Sequence, residues 1–94
     1  METKAQKAAL LMVEKDIKEL ISKGVGCYIR GIETDDYVSR VDYVIREMER
    51  IEKLIIEYGL ENKLLADAIE KVYNAFIDMK LYSDAASFAK KYGL

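Results

Sequence analysis

The chain has 94 residues, of which 51% are hydrophobic and 34% are charged, too apolar for a disordered chain and too evenly charged for a membrane protein. Fifteen basic and seventeen acidic side chains give a net charge of −2, which offers no overall attraction to nucleic acid or anionic lipid. Histidine is absent and Cys27 is the only cysteine, so the commonest general base, an intramolecular disulfide and a cysteine cluster for zinc are all excluded.

The chain contains no apolar run long enough to cross a membrane as a helix. Residues 8–13 form the longest uninterrupted apolar run, well below the roughly 20 residues that cross a bilayer, and no signal-peptide layout precedes it. We therefore expect one soluble, cytoplasmic helical domain over residues 1–94. Amide side chains are scarce while Lys, Glu, Ile and Tyr are abundant, a balance typical of hyperthermophile proteins, and we expect a thermophilic source.

The first predicted helix covers residues 3–23. Its apolar residues recur at spacings of three and four, which places them on one face: Leu10, Val13, Ile17, Leu20 and Ile21. Gly24 is expected to end the helix in a left-handed cap. Residues 25–34 lack a helical period and are predicted to form a loop or a short extended piece.

The same helix carries a second apolar flank, pointing away from the first face: Ala5, Ala8, Leu11 and Met12. Either the helix is sandwiched within the monomer or this flank contacts another chain, and we favour a two-fold homodimer. Three further residues belong to side-chain types enriched at interfaces and are predicted to contact a partner: Tyr28, Arg30 and Tyr43.

Four lysines lie along one side of this helix: Lys4, Lys7, Lys15 and Lys18. Such a stripe is predicted either to be a solvated face or to contact phosphates or an acidic partner. Leu11 and Glu14 interrupt the stripe and no aromatic residue is interleaved, which favours the solvated face.

The second predicted helix covers residues 35–58 and ends at Gly59. Its apolar residues alternate spacings of four and three over three heptads: Tyr37, Val41, Val44, Met48, Ile51, Ile55 and Tyr58. Glu52 projects into this apolar face. It is predicted either to reach water at the rim or to be a buried acid with a basic partner.

A third helix is predicted over residues 61–80, and Ser83 or Asp84 is expected to cap a short fourth helix, although one continuous helix is the alternative. The predicted fold is therefore all-α, a small bundle of three long helices plus a short C-terminal helix, packed largely antiparallel because the connection at Gly59 is short.

The last third of the chain resembles one helical hairpin of the tetratricopeptide type, at these positions: Ala75, Phe76, Tyr82, Ala85 and Ala89. The resemblance covers about 30 residues, and Lys80 stands where the turn glycine of such a hairpin is expected. Helix 2 has no equivalent hairpin, so an array of repeats is not indicated. The resemblance implies a helical surface that holds a peptide or a protein partner.

These features predict a non-enzymatic protein-protein interaction module, a dimeric adaptor or a small structural subunit. No catalytic residue, cofactor, metal or small-molecule substrate is expected, because no histidine or cysteine cluster exists to support one. The alternative is a small helical subunit of a nucleic-acid complex or a regulator that uses the four lysines.

Overall fold

The computed structural model describes residues 2–25 and 40–94. These residues form four α-helices, which we number in chain order: α1 Lys4–Glu19, α2 Arg40–Glu57, α3 Asn62–Asp78 and α4 Tyr82–Tyr92. A π-helical segment, Leu20–Val25, extends α1, and the described residues contain no strand. The all-α prediction is confirmed.

One glutamine both starts α1 and attaches it to α2. The backbone N–H of Gln6 donates to Thr3 Oγ1, and the backbone N–H of Thr3 donates to Gln6 Oε1, both at 3.0 Å, which is a capping box. Gln6 Nε2 also donates to the carbonyl oxygen of Tyr58 at 3.1 Å. Asp16, farther along α1, lies 3.3 Å from Arg50 of α2. These two contacts show that α1 and α2 are antiparallel.

The helix beginning at Lys4 does not end at Gly24, so that prediction was wrong. The π-helical segment continues through Gly24 to Val25. Leu20 is buried and Ile21 packs against the core, and the segment contacts both α2 and α3. Packing of these apolar side chains holds the backbone helical where the glycine alone would favour a stop.

Two tight turns fold α3 onto α2 and α4 onto α3. Gly59 has φ +63°, and the N–H of Leu60 donates to the carbonyl of Ile55 at 2.9 Å. Lys80 has φ +61°, and the N–H of Leu81 donates to the carbonyl of Phe76 at 2.8 Å. Both turns are Schellman caps, but the second places a side chain in the left-handed region that favours glycine.

The fourth helix is separate from the third, and it starts earlier than the predicted caps Ser83 and Asp84. Its N-cap is Leu81, whose carbonyl accepts the N–H of Ala85 at 2.9 Å. The side chain of Leu81 makes no capping hydrogen bond, and Ser83 and Asp84 lie within the first turn of the helix rather than at its N-cap. The short Schellman turn leaves Tyr82 as the first helical residue.

The core is centred on the apolar residues at the predicted heptad spacing in and directly after α2, from Val41 to Tyr58, which we call the seam of α2. Its four central members are at most 1% exposed: Val44, Met48, Ile51 and Ile55. Val13, Val72, Phe76 and Phe88 from the other helices are fully buried against them. Each such side chain contributes about 1.5–3 kcal/mol by leaving water. The Phe76 and Phe88 rings, with centroids 5.7 Å apart, join α3 to α4.

Lys80→Gly is expected to raise the free energy of unfolding by about 1 kcal/mol, because it relieves the left-handed backbone of a residue with a Cβ. Lys53→Gly in the middle of α2 is the control and should lower it by about 1 kcal/mol. Urea denaturation measures both. A Lys80→Gly protein less stable than the wild type would contradict the assignment of strain to Lys80.

Candidate functional site

The outer surface of α1 is open to solvent and partly apolar. Leu11 is 59% exposed and Met12 is 43% exposed, and the small side chains of Ala5 and Ala8 are exposed as well. The helix is therefore not enclosed by the described part of its own chain. All four members of the predicted second apolar flank lie at the surface.

Leu11 is the residue of α1 that points most directly away from the core. At about 100° per residue it lies opposite Ala9 and Val13, which are buried. The four lysines, all exposed, lie within about 40° of it around the helix axis: Lys4, Lys7, Lys15 and Lys18. We call Leu11 and these lysines the lysine ridge. Met12 lies about 100° from Leu11, on the side of α2.

A groove runs along the other side of α1, between α1 and α3. It consists of two cavities, of about 310 Å³ and 380 Å³, which share Leu64 of α3. The first is lined by Leu10 and Leu60, and the second by Ile17 and Ile21. We call the two cavities together the α1–α3 groove.

The lining of this groove is apolar at its base and charged at its edges. Among the described residues, its charged lining consists of four acids and two bases: Glu2, Glu14, Glu61, Asp67, Lys18 and Lys71. Glu2 and Glu61 belong to the first cavity, where the described lining contains no basic side chain, and the other four belong to the second. The groove therefore carries a net negative charge, most strongly at the end where α1 begins.

On the side of α1 opposite the groove, an ion-pair cluster links α1 to α2. Arg50 Nη1 lies 3.3 Å from Asp16 Oδ2, and Arg50 Nη2 donates to Glu47 Oε2 at 2.8 Å. The hydrogen bond to Glu47, with the charge of Asp16, raises the pKa of Arg50. Tyr43 is half-buried beside this cluster and packs against the core. The cluster fixes α1 against α2.

The other predicted contact residues Tyr28 and Arg30, like Cys27, lie outside the described residues. The sequence did not single out Glu2, Glu61 or Leu64. Asp67 and Lys71 are four residues apart, which by itself is the spacing of an ordinary intrahelical ion pair. No local signal marks these residues as one site, because they come together only when α1 and α3 are placed side by side.

Glu52 is half-buried, and no charged side chain is buried among the residues that the structure describes, so the interpretation of Glu52 as a rim residue holds. Its charge acts on Tyr92 of α4, whose ring packs on Phe88 at 4.8 Å. The Tyr92 hydroxyl is buried and has no hydrogen-bond partner in the described structure. Burial, together with the charges of Glu49 and Glu52, raises the pKa of Tyr92 to about 12.

No family model matches the chain, and neither a curated protein sequence nor a solved structure matches it. Within residues 2–25 and 40–94, no helix is long and apolar enough to cross a membrane. The same residues bring no three Cys, Asp or Glu side chains together in a way that could hold a metal ion.

Tyr92 should make the protein less stable in alkali. The unfolded chain releases this proton near pH 10 and the folded protein near pH 12, so stability is intact below about pH 10 and falls as the pH rises toward 12. Tyr92→Phe should remove part of this loss, as measured by urea denaturation at about pH 8 and about pH 11. The control variant Tyr82→Phe changes a tyrosine that is 60% exposed, and it should show the same alkaline loss of stability as the wild type. Equal alkaline losses in both variants would contradict the assignment.

Proposed function

We propose that this protein is a non-enzymatic interaction module that forms a two-fold homodimer through α1 and serves as an adaptor or a small structural subunit. The observation that carries the proposal is the exposure of Leu11 and Met12, 59% and 43%, beside exposed Ala5 and Ala8. These residues extend the apolar surface over about two turns of one helix. A monomer leaves that surface in water.

Burial on a second copy would stabilise the assembly. An apolar leucine side chain contributes about 1.5–3 kcal/mol when it leaves water completely, and a two-fold interface counts each such residue twice. The aliphatic stems of the lysines add apolar surface while their ammonium groups stay in water. The single cysteine, which allows no disulfide within the chain, fits a cytoplasmic location.

Sedimentation equilibrium at about 100 µM should give a dimer for the wild-type chain, and the double variant Leu11→Glu/Met12→Glu should be a monomer, since it places carboxylates in an apolar contact. Circular dichroism checks that the variant keeps its helices, as is expected for two exposed positions. A monomeric wild-type chain at this concentration would refute the proposal.

Nucleic-acid binding is the second candidate, favoured by the exposure of four lysines on one face of α1. Phosphate contacts release counterions, so binding of labelled RNA or DNA through these lysines must weaken steeply as salt rises. We expect no such salt-dependent binding, because the chain has a net charge of −2. Titration at two salt concentrations decides between the two functions.

A further inference from the structure

The lysine ridge and the α1–α3 groove have complementary charges. The ridge presents one exposed leucine among four ammonium groups, of which that of Lys18 also borders the groove. In the part of the chain that the structure describes, the groove presents an apolar base with four carboxylates and, besides Lys18, the amine of Lys71 at its edges. We infer that the groove of each copy receives the lysine ridge of the other. This inference rests on the proposed homodimer and adds the surface that α1 contacts.

Packing of ridge against ridge is disfavoured by the spacing of the lysines. Lys4 and Lys18 are each seven residues from Leu11, and Lys7 and Lys15 are each four residues from it. In an antiparallel pair of α1 helices centred on Leu11, Lys4 would face Lys18 and Lys7 would face Lys15 of the other copy. A parallel pair in register would place each lysine against the same lysine of the other copy. Both arrangements oppose like charges across an interface, which weakens association.

A two-fold axis parallel to α1 removes this conflict for Lys4 and Lys15, which lie on the side of Leu11 away from the groove. Lys7 and Lys18 lie close to that axis. The ridge and the groove are neighbouring surfaces of α1, with Leu10 and Ile17 about 100° and about 120° from Leu11 around the helix. Rotation by 180° about an axis between them, along the helix, brings each ridge over the groove of the other copy. The contact is isologous and closes as a dimer.

The register of this arrangement pairs opposite charges. The cavities place Leu10 beside Leu64, and the residues around Ile17 beside Asp67 and Ala68. At equal height along the axis, Leu11 of one copy therefore points at the base of the groove near Leu64. Lys4 reaches the end that carries Glu2 and Glu61 of the other copy.

Toward the C-terminal end of α1 in the same interface, Lys15 lies level with Asp67 of the other copy along the two-fold axis. Lys15 lies 4.0 Å from Glu19 within its own helix, and both side chains of that pair are largely exposed. Such a solvated pair is worth little and leaves the ammonium group free to turn toward a second carboxylate. Lys18 and Lys71 follow Glu14 and Asp67 by four residues, the spacing at which an acid offsets a base on one helix.

Charge reversal at exposed residues tests the pairing without disturbing the core. Lys4→Glu/Lys15→Glu reverses the ridge, and Glu61→Lys/Asp67→Lys reverses the groove. Each double variant alone should raise the dimer Kd by at least about tenfold, since like charges then face each other. An equimolar mixture of the two should form a heterodimer near wild-type affinity, because one of its contacts is fully reversed and the other is wild type.

The control variants make the same Lys→Glu and acid→Lys changes at residues outside the lysine ridge and the groove. Lys53→Glu/Lys90→Glu and Glu57→Lys/Glu70→Lys alter exposed residues outside both surfaces, and each should dimerise like the wild type. Leu11→Glu alone should also raise Kd at least about tenfold, whereas Ile56→Glu, at an exposed apolar residue of α2 outside both surfaces, should leave it within about twofold. Sedimentation measures every Kd, and thermal melts verify folding.

The outcomes separate this inference from the proposed homodimer. If the wild type dimerises and Leu11→Glu/Met12→Glu disrupts the dimer while groove reversal has no effect, the homodimer stands and the groove is not its counterpart. The inference is also overturned if the mixed variants stay monomeric, or if Ile56→Glu disrupts the dimer as strongly as Leu11→Glu. A monomeric wild-type chain refutes both.

Discussion

Burial of one face of α2 is the constraint on which the whole bundle depends. The four central residues of its seam are at most 1% exposed, and α1, the π-helical segment, α3 and α4 all pack on α2. Because α1 and α3 are both held by α2, they are positioned relative to each other through a third helix. The α1–α3 groove is the space that this arrangement leaves between them. The candidate site is thus a consequence of how the core is built.

The helices and the seam could be predicted because apolar residues at spacings of three and four determine which side of a helix leaves water. The residues at which the helices end were harder to predict, since tertiary packing competes with local sequence signals. Gly59 ends its helix as expected, but Gly24 does not, because Leu20 and Ile21 are held against the core. Lys80 takes the backbone conformation of a cap glycine, so the turn before α4 carries no glycine signal.

The two halves of the candidate site differ in how far the sequence reveals them. The exposure of Leu11 follows from its angle to Val13 on a single helix, and the sequence suffices for that. The groove depends on the distance between α1 and α3, which no local pattern encodes. Leu10, Ile17 and Ile21 were assigned to the core face, and they are only half-buried because they line the groove between α1 and α3.

The placement of the charges bears on the alternative that the four lysines of α1 contact nucleic acid. The groove beside the ridge is lined by Glu2, Glu14, Glu61 and Asp67. A phosphate backbone lying on the ridge would come within about one Debye length, roughly 8–10 Å, of those carboxylates, and their repulsion would offset the lysines. In the proposed homodimer, a second copy of the chain would gain from both sets of charges at once, because it would bring its own carboxylates to the lysines and its own lysines to the carboxylates.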